Sequence, residues 1–136
     1  MDLLINLDVD DLQKGIDFYV QSFGLSLARR LYGGTVAELT GAPVKLYLLE
    51  KPAGSVTAGQ HRAYRRHWTP VHLDFVVADI EAALQRAVTA GARLEGSVSR
   101  TAARDMATLS DPFGHGFCLL QFHAAPYVDG ESPAAG

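Results

Sequence analysis

The chain has 136 residues, enough for one hydrophobic core and too few for two independent ones, with 48% hydrophobic against 20% charged positions. A formal net charge of -3 gives no electrostatic case for nucleic acid or an anionic membrane, and no apolar run approaches the roughly 20 residues a bilayer crossing needs. A small molecule is the expected ligand; with one cysteine and no basic-then-apolar leader, the expected compartment is the cytoplasm.

LLINLDV, residues 3–9, alternates with a period of two and predicts a half-buried strand. Asp11 then stands as a helix N-cap, and Leu12, Ile16, Tyr19, Val20 and Phe23 recur at helical spacing until Gly24 ends the helix. LSLARRLY, TVAEL and VKLYLLE follow as three short strands, separated by Gly33-Gly34 and by Gly41-Ala42-Pro43. The unit is βαβββ. Residues 51–68, KPAGSVTAGQHRAYRRHW, break the pattern and turn basic, so they read as a linker or long loop.

The first order of elements then returns. VHLDFVV is a strand, Asp79 caps a helix carrying Ile80, Ala83, Leu84, Ala87 and Val88, Gly91 stops it, and ARLEGSVS, MATLS and FCLLQF supply three more strands. Two copies of one supersecondary unit make an internal duplication. The fold class is α+β with two βαβββ repeats, over 3–50 and 71–123, joined by a loop at 51–70. Residues 1–124 are expected to form a single domain, with 125–136 as a flexible tail of small and polar residues.

Asp11-Leu12 with Phe18-Tyr19 and Phe23-Gly24-Leu25, together with Asp111-Pro112-Phe113-Gly114 before the last strand, resemble motifs of the vicinal oxygen chelate superfamily. That superfamily includes glyoxalases, bleomycin-resistance proteins and extradiol dioxygenases, and VHLD with DPFGHGFCLLQ is most similar to its glyoxalase-like domains. The resemblance covers roughly residues 3 to 123. It implies a cupped mixed sheet with helices on its outer face, and metal ligands, typically His, Gln or Glu, in the first and last strands of each repeat. The matching positions here are Leu4, Tyr47, His72 and Cys118.

Leucine has no lone pair to give, and tyrosine gives one mainly as a phenolate, so no resident metal is expected. Were a divalent ion such as Zn, Ni, Mn or Fe held, His72, Cys118 and Tyr47 would hold it. Strand alternation puts Cys118, Leu120 and Phe122 on one side and Phe117 and Leu119 on the helix side. By the same parity the cup is expected to be lined by Asn6, Asp8, Tyr47, His72, Asp74, Cys118 and Leu120, with Trp68 capping it. Cys118 is expected as an inert lining residue, the alternative being a reactive thiol activated by His72; plainer alternatives are a ring bonded to backbone or carboxylate for His72 and solvated carboxylates for Asp8 and Asp74.

His61, Arg62, Tyr64, Arg65, Arg66, His67 and Trp68 form a basic and aromatic cluster. It reads as a solvated linker; the alternative is a flap over an anionic or aromatic ligand. His115 and His123 are expected to be exposed. Two functions follow. One is a metal-independent protein that binds an aromatic or amphipathic metabolite or antibiotic. The other is a metal-dependent glyoxalase- or dioxygenase-like lyase, isomerase or oxygenase built on His72 and atypical ligands. No catalytic residue is assigned, and a two-fold homodimer is expected.

Overall fold

The computed structural model describes residues 1–127, so the tail expected over 125–136 lies outside the described residues from 128 onward. The first repeat runs β1 (Ile5–Val9), α1 (Leu12–Phe23), β2 (Ser26–Leu31), β3 (Val36–Thr40) and β4 (Leu46–Glu50). A small hairpin, β5 (Val56–Thr57) and β6 (Gln60–His61), lies in the connection. The second repeat runs β7 (Leu73–Val76), α2 (Ile80–Ala90), β8 (Arg93–Arg100), β9 (Arg104–Ser110) and β10 (Gly116–Phe122). Each repeat makes one four-stranded sheet, ordered β1-β4-β3-β2 and β7-β10-β9-β8. In each the first and last strands pair parallel and the other pairs are antiparallel. The fold is α+β, built from the two βαβββ repeats.

The helices start and stop where their cap chemistry dictates. Asp11 accepts from Lys14 N at 3.0 Å and Asp79 from Ala82 N at 3.2 Å, each satisfying one of the orphan donors of a first turn. A further donor is met from the sheet. Glu50 Oε2 accepts from Leu12 N and Gln121 Oε1 from Ile80 N, both at 2.9 Å, so the last strand of each repeat caps its own helix with a long polar side chain. Gly24 closes α1 at φ 66, the left-handed conformation that favours glycine.

Alternation along the strands buries one face of each sheet against the helices. Val9, Leu39, Leu48, Leu109, Phe117 and Leu119 meet Leu12, Ile16 and Phe18 of α1 and Ile80, Ala83 and Ala87 of α2 in a single core. The repeats pack on one another within the chain. Phe23 of α1 stacks on Phe75 of β7 with ring centroids 3.8 Å apart, and α1 lies against α2. Tyr19 OH donates to Asp111 Oδ2 at 2.6 Å, while Asp111 Oδ1 accepts from Phe113 N and His115 N at 2.8 and 2.9 Å. The aromatic pair of α1 and the Asp-Pro-Phe-Gly turn, read separately in the sequence, are therefore one buried contact between repeats. Burial first, and the Asp111 carboxylate second, push the Tyr19 hydroxyl well above its ordinary pKa.

The connection departs from the solvated linker expected of its composition. It is a strap tied to both repeats: Arg62 Nε pairs with Asp8 of β1 at 2.6 Å, and Arg66 forks onto Glu95 of β8. Tyr64 OH also donates to Lys51 O at 2.7 Å. Two glycines of the last turn make room for it. A Cβ on Gly114 would stand 2.6 Å from Arg65 O, and one on Gly116 would stand 2.5 Å from the Trp68 ring. Composition could not show this, because the partners of the arginines are far away in sequence. His115 is correspondingly only half-exposed, with Nε2 donating to Asp8 O at 2.7 Å, whereas His123 is exposed as expected but paired with Asp105.

Candidate functional site

The registers align one row of side chains across the helix-free face of each sheet. In the first repeat the row is Asn6, Tyr47, Glu38 and Arg29; in the second it is Asp74, Cys118, Thr108 and Glu95. The duplication thus puts chemically different groups at matching positions, and the two rows behave differently.

The first row is closed upon itself. Tyr47 OH donates to Glu38 Oε2 at 2.7 Å, Arg29 Nη2 donates to the same oxygen at 3.1 Å, and Lys45 Nζ stands 3.8 Å away. Glu38 is 4% exposed, and hydrogen bonds from Arg29 and then Tyr47 hold its carboxyl below the ordinary range. The hydrogen bond to Glu38 raises Tyr47, with burial adding to it, so the phenolate that a metal would require is disfavoured. Leu4 lies just before β1 and is 56% exposed. Glu38 escaped the sequence reading, because only the observed register puts it opposite Tyr47.

The second row is open to a ligand at one end. His72 Nε2 lies 3.3 Å from Asp74 Oδ1, and donor atoms of His72, Asp74 and Cys118 all lie within 4.8 Å of one another. His72 Nδ1 is buried without a hydrogen-bond partner among the described residues. Cys118 Sγ sits 3.8 Å from Thr108 Oγ1. Burial pushes the thiol up; the Thr108 hydrogen bond pulls it partly back, and the Asp74 carboxylate adds to the rise. A raised thiol is a poor nucleophile at neutral pH.

The eight expected lining residues are not all brought to one open cavity. His72, Asp74 and Cys118 converge, and Trp68, 41% exposed, lies on His72 with ring centroids 4.6 Å apart. Asn6 and His72 share a crevice of about 220 Å³ between the repeats. Asp8 lines a different cavity, beside the strap. Tyr47 belongs to the Arg29–Glu38 row. Cys118 and Leu120 do face away from the helices, but each is 1% exposed, because Met106 and Phe122 pack over that part of the face as a second small core. Alternation gave their side and could not give their depth.

A metal set drawn from both repeats does not fit these residues, since Leu4 has no donor and Tyr47 is committed to Glu38. A one-sided set of His72, Asp74 and Cys118 fits a zinc-like ion by donor type and number, and the unpartnered His72 nitrogen is consistent with it. Donors on one tetrahedral zinc stand about 3.5 Å apart, so the three would need to draw in.

Two βαβββ repeats whose parallel first and last strands bring chemistry-bearing side chains to the helix-free face define a glyoxalase-type class. Residues 4–120 match the glyoxalase-like domain family, and the chain belongs to it. Among its relatives, the anthracycline biosynthesis protein DnrV of Streptomyces peucetius is 31% identical over 135 residues, covering 97% of this chain and 43% of that protein. The chain therefore spans less than half the length of that curated relative. A glyoxalase/bleomycin resistance protein/dioxygenase family enzyme from Burkholderia phytofirmans PsJN shares the fold with a TM-score of 0.69 at 20% identity, over 90% of this chain and 99% of that one. TioX from Micromonospora sp. ML1 does so with 0.67 at 18%, over 90% and 98%. The fosfomycin resistance protein FosX of Listeria monocytogenes gives 0.68 at 18%, over 88% and 90%. Among the described residues no helix is long and apolar enough to cross a membrane.

Proposed function

We propose that this chain is a small-molecule-binding member of the glyoxalase-like family that holds an aromatic or amphipathic metabolite or antibiotic without a metal. One observation carries the reading: the first-repeat row is saturated by its own Arg29–Glu38–Tyr47 bonds, so the family's two-sided donor set has no first-repeat half. Recognition then falls to shape and a few polar anchors, with the exposed Trp68 indole offering a stacking face beside His72, Asn6 lining the crevice with His72, and Asp74 standing next to His72. Similarity to an anthracycline biosynthesis protein favours a polycyclic aromatic ligand.

Trp68 is the sole tryptophan, so its emission is a direct readout. A hydroxylated anthraquinone titrated in EDTA should quench it saturably, and His72→Ala should weaken that quenching. Quenching seen only after zinc is added would overturn the reading.

The convergence of His72, Asp74 and Cys118 favours one second reading, a metal-dependent glyoxalase- or dioxygenase-like enzyme. His72 would bind as a neutral imidazole, Asp74 as a carboxylate and Cys118 as the thiolate that a bound ion stabilises. When bound, such an ion supplies Lewis-acid polarisation of a ligand oxygen. Stoichiometric Zn, Ni, Mn or Fe in the purified protein, lost in both His72→Ala and Asp74→Ala, would establish this reading in place of the first.

A further inference from the structure

The strap borders an open cavity of about 600 Å³ beside the end of β1 and the turn before β10. Its lining residues include Arg62, Arg65, Arg66, His61, His67 and His115, with Asp8 as the one carboxylate among them. That is a local excess of positive charge on a chain whose formal net charge is -3.

The three arginines are not equivalent. Arg62 is spent on Asp8 and Ser55, and Arg66 is spent on Glu95 and the His67 carbonyl. Both serve to fix the strap. Arg65 is exposed and its guanidinium has no ion pair or side-chain hydrogen bond among the described residues. Its backbone, by contrast, is held: Arg65 O accepts from His67 Nδ1 at 2.9 Å and lies against Gly114, where any Cβ would stand 2.6 Å away. A free fork on an anchored backbone keeps its donors available at little ordering cost beyond its own side chain. His67 and His115 each donate one ring N–H to a backbone carbonyl, which fixes the tautomer and holds both rings at the cavity.

We infer that this cavity is a binding site for a small oxyanion, the carboxylate or phosphate group of a metabolite, with Arg65 as its principal anchor. Planar guanidinium donors match both oxyanions through paired hydrogen bonds, and no base-stacking or membrane-facing arrangement is needed to account for the charge. The inference does not rest on the aromatic-ligand reading, since none of Trp68, His72, Asn6 and Asp74 lines this cavity.

Isothermal titration of inorganic phosphate, and separately of benzoate, into the full chain tests it. The expected result is saturable one-site binding of at least one of them, weakened about tenfold or more in Arg65→Ala, as loss of a charge-assisted hydrogen bond implies. Because the Arg65 side chain is exposed and makes no ion pair or hydrogen bond among the described residues, that variant should melt as the wild type does. Arg86→Ala, which removes an arginine of α2 outside the cavity, should leave binding unchanged. Binding of neither anion, equal binding by Arg65→Ala, or equal weakening by Arg86→Ala would overturn the inference. None of these outcomes bears on anthraquinone binding, so the two proposals fail separately.

Discussion

Asp111 joins the two repeats: it orders its own turn through two backbone donors and receives the Tyr19 hydroxyl from the other repeat. Tyr19→Phe leaves that buried carboxylate oxygen without its donor, and a cost of about 1–3 kcal/mol in urea denaturation is expected. Gly116 is fixed by a different constraint. A methyl group there would overlap the Trp68 ring, so Gly116→Ala should displace the strap, shift Trp68 emission to the red and lose about 1–3 kcal/mol, read by fluorescence and melting. At this scale the sequence was partly legible. Parity placed His72, Asp74 and Cys118 on one face, and the register then made Asp74 a neighbour of Cys118. What parity could not supply was competition: that Tyr47 is held by Glu38, and that Met106 and Phe122 cover Cys118 and Leu120, depends on strands whose pairing is not written locally.

At the scale of elements, three carboxylates sit in ion pairs that tie strands to their neighbours. Arg29 and Tyr47 hold Glu38 down, Arg66 on the strap holds Glu95 down, and His123 with Arg100 holds Asp105 down. Each has a folded pKa below its unfolded one. Their contribution to stability is therefore fully present above the ordinary carboxylate range, roughly pH 4, and is lost as pH falls through the depressed folded values. Denaturation midpoints should drop as pH is lowered through that window, and Glu38→Gln should flatten the dependence. A slope that is unchanged in Glu38→Gln would show that its pairing contributes nothing. The helices, strands and their caps were legible because each follows from residues within a few positions, as with Asp11 and Asp79. The strap was not. Its glycines, prolines and charges look like solvated linker until the distant Asp8 and Glu95 are known.

At the scale of the whole molecule, the duplication and the family motifs carried the fold, since both repeats were readable from strand, capped helix and three strands in order. The relation between the repeats was not readable, and it rests on contacts such as Phe23 on Phe75. The proposed assembly is a two-fold homodimer, and light scattering should return twice the mass of one chain; a single-chain mass would refute it. The central question is whether ligand binding needs an ion. Calorimetric titration of a hydroxylated anthraquinone into protein stripped with EDTA, repeated after zinc is restored, decides this most directly. Equal affinity in the two titrations is the predicted result, and binding that appears only with zinc would contradict it.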